Sequence, residues 1–113
     1  MSKGTLESLE APVPQADDPT EFPDRLSIEP QSKFFSTSCA HVGVLLNGKP
    51  GTTVIEYCRS GRWVRLGEFG EDGFLKKVNR KYVATQLWDV DIELYWRVRP
   101  SRQVRRALKR VGS

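Results

Sequence analysis

From Ile92 to Val98 apolar residues recur at every second position, with Ile92, Leu94, Trp96 and Val98 on one side and Glu93, Tyr95 and Arg97 on the other. That period belongs to a strand half-buried on a sheet, because successive side chains of an extended chain point to opposite faces. Upstream, short β-prone runs are punctuated by turn residues. Val42-Gly43-Val44-Leu45-Leu46 ends in Asn47-Gly48, a strong hairpin signal. Thr53-Val54-Ile55-Glu56-Tyr57-Cys58 is rich in β-branched and aromatic residues, and Ser60-Gly61 turns the chain into Trp63-Val64-Arg65-Leu66. Lys49 to Thr52 lengthen the first connection beyond a two-residue hairpin. Phe74 to Val78 and Tyr82 to Trp88 complete the set. The reading is a β-rich α+β fold: a small antiparallel meander of about five strands. Such a sheet needs a cover, which a second layer, a C-terminal helix or a partner subunit can supply.

Charge divides the chain in three. Residues 1–24 hold six acids and one base, whereas Arg97 to Ser113 hold seven bases and no acid. The net charge of +4 therefore hides an acidic start and a basic end. Residues 1–22 carry few aliphatic side chains and several prolines, too little apolar surface to offset chain entropy. They are expected to be a disordered acidic arm, and residues 23–98 the β-rich domain. An arm that masks the basic end would act only at short range, since salt screens charges beyond about 8 Å.

Residues 99–113 read as a basic amphipathic helix. Ser101 is a good N-cap, and Val104, Ala107, Leu108 and Val111 follow at helical spacing. Arg102, Arg105, Arg106, Lys109 and Arg110 fill the rest of the surface. So short a helix is marginal in water and orders only if its apolar stripe docks. Its five bases can follow the phosphates of a nucleic acid, a role that suits arginine. An anionic membrane or another acidic partner would also fit, though interfacial helices favour aromatic anchors that are missing here. A plain solvated face is the third reading.

Other chemistry is thinner. Cys39-Ala40-His41 sets a thiol two residues from an imidazole, the minimum for a thiol-dependent redox or nucleophilic site, provided the stretch is extended. With Cys58 they make three potential metal ligands at the spacing of no zinc motif, so no metal is expected. Trp63, Trp88, Trp96, Tyr57, Tyr82 and Tyr95 would mainly fill the core, or else stack bases beside Arg62, Arg65, Arg80 and Lys81. Asp89, Asp91 and Glu93 would share one strand face. Gly48-Lys49-Pro50-Gly51-Thr52 lacks the phosphate-loop pattern, and no nucleophile elbow, dinucleotide fingerprint or zinc helix occurs, so no cofactor is expected. No apolar run reaches the roughly 18 residues of a membrane helix. The start of the chain lacks the apolar segment of a secretion signal, and two cysteines make no disulfide scaffold, so a cytoplasmic protein is expected.

Four ordered blocks are familiar: Pro23-Asp24-Arg25-Leu26-Ser27-Ile28-Glu29-Pro30-Gln31-Ser32, Gly43-Val44-Leu45-Leu46-Asn47-Gly48, Val54-Ile55-Glu56-Tyr57-Cys58 and Gly61-Arg62-Trp63-Val64-Arg65. Together they resemble a family of short bacterial proteins catalogued as domain of unknown function thirty-two ninety-seven. The resemblance covers residues 23–66 and extends more loosely to Tyr95-Trp96. It implies no established activity and so no catalytic residues. Some members carry an automated glutathione peroxidase label, and Cys39, Gln86 and Trp88 supply residue types such an enzyme uses. The motifs around a peroxidatic cysteine are missing, as is the length of a thioredoxin-like fold. The arginine-rich end looks like an addition to the family core. The expectation is a non-catalytic binding or assembly module. Phosphate binding through the C-terminal helix and redox chemistry at Cys39 are the alternatives, and a homodimer is a further possibility.

Overall fold

Asn47 and Gly48 both take positive φ, 51° and 83°, which is what a two-residue turn between twisted strands demands. They join β2 (Val42–Leu46) to β3 (Lys49–Pro50), with Leu46 opposite Lys49. The Asn-Gly signal thus closes a tight hairpin, and Lys49 and Pro50 belong to its second strand. The structure, a computed structural model, describes residues 13–112. The other strands are β1 (Arg25–Ser27), β4 (Val54–Cys58), β5 (Trp63–Gly67), β6 (Lys77–Val78), β7 (Lys81–Tyr82), β8 (Ala84–Trp88) and β9 (Ile92–Trp96). Two 3-10 turns, Pro19–Glu21 and Thr37–His41, and one helix, α1 (Arg102–Lys109), complete the described residues.

The class is the expected one, β-rich and antiparallel with a single C-terminal helix. The pairing is more elaborate than one meander. One sheet runs β1-β4-β5-β8, a second β3-β2-β9, and β6 and β7 form a separate hairpin. Only the hairpins β2–β3, β4–β5 and β6–β7 join sequence neighbours; β2 pairs with β9 across the length of the domain. Phe74 to Val78, expected as a strand, shrinks to the two residues of β6.

In the four-stranded sheet Leu26, Tyr57 and Val64 stand opposite one another and face inward. In the three-stranded sheet Val44 pairs with Leu94 and Val42 with Trp96. The two inner faces meet in one core, which Phe22, Val90 and Leu108 complete. Gly43 is required where it is: a Cβ there would lie 2.1 Å from the Tyr95 ring that crosses it. Tyr57 is buried, and its hydroxyl donates to the Pro23 carbonyl at 2.7 Å.

Residues 1–12 of the expected arm lie outside the described residues. Contacts with the domain begin at Asp17, ahead of the expected boundary at Pro23. The Asp17 N–H donates to the Leu94 carbonyl (2.9 Å), and its carboxylate accepts from the Trp96 N–H (2.8 Å). Asp18 caps the first 3-10 turn by accepting from the Thr20 N–H, which holds its carboxyl below the ordinary range. Phe22 then stacks on Trp96 with ring centroids 4.4 Å apart. One well-placed aromatic and a few hydrogen bonds hold this segment, which average composition does not reveal.

Candidate functional site

Ser101 caps α1, its hydroxyl accepting from the Val104 N–H at 3.2 Å. Leu108 is fully buried, and Val104 and Val111 pack beside it, against the second 3-10 turn and the first. The apolar stripe therefore docks on the protein's own core. Arg102, Arg105, Arg106, Lys109 and Arg110 are left exposed on the outer side. Among them only Arg105 has an ion-pair partner within the described residues, Glu21 at 3.4 Å. The other Glu21 oxygen accepts from the Trp96 indole N–H at 2.9 Å. Arg106 and Lys109 lie in the last turn, where cations suit the helix dipole. The result is a row of exposed guanidinium and ammonium groups along the outer side of a helix docked on the core.

Cys39 and His41 fare differently. Both lie on the 3-10 turn Thr37–His41, where successive residues rotate by about 120°, so positions i and i+2 diverge. The extended conformation that a thiol–imidazole pair needed is absent there. Cys39 lines a mainly apolar cavity of about 30 Å³ with Leu26, Val42, Val44 and Tyr57, which Glu56 also borders. Burial pushes its thiol up, the opposite of activation. His41 Nδ1 is buried and has no hydrogen-bond partner among the described residues. Cys58 sits elsewhere, on β4 beside Asp24 and Ser60. Gln86 and Trp88 are exposed on β8 and do not reach the Cys39 cavity. Iodoacetamide at neutral pH should therefore label Cys39 slowly in the native protein and much faster in denaturant. Rapid native labelling, followed by peptide mass spectrometry, would contradict the half-buried, protonated thiol.

The remaining candidates disperse. Trp63 and Trp88 form a cross-strand pair with ring centroids 6.3 Å apart, and Trp88 is 64% exposed, so it fills no core. Asp89 has φ of 57° in the turn before β9, which separates it from Glu93, while Asp91 pairs with Arg62 at 2.8 Å. The three acids do not form one strand face.

A buried ionic cluster escaped the sequence reading. Glu56, 4% exposed, pairs with Arg25 through one oxygen and with Arg65 at 3.0 Å through the other. Arg65 also binds Glu29, 7% exposed, at 2.7 Å. The Arg25 guanidinium lies 4.2 Å from the Phe34 ring centroid and 4.9 Å from that of Trp63. Sheet pairing explains the meeting: Ser27 faces Glu56, and Glu56 faces Arg65. Both carboxylates are engaged by arginines, so the arrangement clamps β1, β4, β5 and the Glu29 segment together. A lone acid in the apolar run Val54 to Cys58 was the available signal.

The fold and these sites define a small β-rich α+β protein with an ionic clamp in its sheet and a docked basic helix. Residues 23–72 match the model of the family described as Protein of unknown function (DUF3297). Arg25, Glu29, Glu56 and Arg65 all fall inside the matched stretch, and α1 lies beyond it. No curated protein and no solved structure matches the chain. Among the described residues no helix is long and apolar enough to cross a membrane.

Proposed function

We propose that the protein is a non-catalytic binding module that holds nucleic-acid phosphates against the outer side of α1. The observation that carries this reading is the division of the helix: Leu108 is fully buried, while the five bases point outward. Docking orders the helix that carries the bases before any ligand arrives, so little helix-forming entropy remains to be lost on binding. Contacts of this kind go to the backbone and carry no base sequence.

The test is a salt titration against a fluorescent duplex oligonucleotide. With roughly five phosphate contacts, the log–log slope of affinity against salt should be near −4 to −5. Replacing Arg102, Arg105, Arg106, Lys109 and Arg110 by Gln should abolish binding at moderate salt. Unchanged affinity in that variant would sink the proposal. Ending the chain at Pro100 is a poorer comparison, because it also takes Leu108 out of the core.

A further inference from the structure

Among the described residues several strand edges are blunted, and that of β8 is not. The outer edge of β9 is met by Asp17, and that of β1 by the Ser27 N–H bond to the Phe34 carbonyl (2.9 Å). β3 is two residues long and contains Pro50. β8 has none of these protections. It is the five-residue edge of the four-stranded sheet, Ala84-Thr85-Gln86-Leu87-Trp88, without proline or charge. Trp88 is 64% and Leu87 39% exposed. Such an edge is a template for another strand.

We propose that β8 pairs antiparallel with β8 of a second copy, about a two-fold axis through Gln86. Ladder geometry supports this register. The Glu68 N–H donates to the Val83 carbonyl at 3.1 Å, which marks that facing pair as hydrogen-bonded. Antiparallel ladders alternate, so Thr85 and Leu87 exchange bonds with β5, while Ala84, Gln86 and Trp88 direct their N–H and C=O groups outward. A two-fold at Gln86 sets Gln86 against Gln86 and Ala84 against Trp88, all through outward-directed backbone groups.

The side chains fit the same register. The Trp88 indole of each copy lies over the small Ala84 of the other, and Leu87 lies beside Thr85. The two Gln86 amides meet at the axis, where each can donate and accept. No charge is buried or opposed. The strand is its own complement, which argues for a second copy over an unrelated peptide.

Sedimentation velocity of the full chain, stripped of nucleic acid, tests this through a charge swap at the axis. The wild type should sediment as a dimer at high micromolar concentration. Gln86→Lys puts two ammonium groups face to face, and Gln86→Glu two carboxylates; each variant alone should be monomeric. Gln86 is exposed, so both should fold, with circular dichroism as the check. An equimolar mixture of the two variants should recover the dimer, because Lys then faces Glu. A monomeric wild type, a Gln86→Lys variant that stays dimeric, or a mixture that fails to reassociate would each overturn the proposal.

Discussion

Glu56→Ala should lower stability by about 2–4 kcal/mol and the Tm by roughly 10–20 °C. The side chain is 5% exposed and has an arginine on each carboxylate oxygen. Removing it leaves Arg65 with Glu29, but among the described residues Arg25 keeps only the Phe34 and Trp63 rings. Breaking a buried pair costs most when the surviving charge cannot reach water. Here the arginine side chains retain 37% and 27% exposure, so hydration recovers part of the loss. Glu56→Gln should fall between, since it keeps an acceptor but turns an amide donor toward a guanidinium. The Tm difference should persist in high salt, unlike that of the exposed Arg62–Asp91 pair, whose side chains are 55% and 74% exposed. A Glu56→Ala Tm within a degree or two of wild type would show that the cluster behaves as solvated surface charge.

Local features were legible because local physics determines them. β-branched runs marked β2 and β4, alternation marked β9, and Asn47-Gly48 marked its hairpin. The Ser101 cap and the 3–4 spacing of apolar residues located α1. Pairing was not legible, because it depends on which distant edges meet. β1 is three residues long, too short for any period, and the β2–β9 and β5–β8 ladders skip over intervening strands. The ionic clamp failed to show for the same reason: its members span Arg25 to Arg65 and converge only through sheet register. Of the candidate site, the five bases and their exposure followed from helical spacing. Their ordering did not, since that rests on Leu108 finding the core. Whether Cys39 and His41 face one another was not legible, because adjacency in sequence says nothing of facing until the backbone conformation is known.

Leu108→Ala separates the order of the basic helix from its charge. Leu108 is fully buried, so truncation should cost about 2–5 kcal/mol and lower the Tm by roughly 10 °C or more. An eight-residue helix does not hold itself in water, and without its anchor α1 should fray, seen as lost helical circular dichroism. All five bases remain. The salt slope of oligonucleotide binding should therefore stay near its wild-type value, because it counts phosphates neutralised. Affinity should fall, since the frayed segment must now be ordered on binding. Adding the oligonucleotide should also raise the variant's Tm, because a ligand that selects the docked helix stabilises the fold by mass action. A variant with wild-type Tm would show that α1 gains nothing from the core. A lost salt slope with the fold intact would show that the bases act only as an ordered array, making docking itself a condition of recognition.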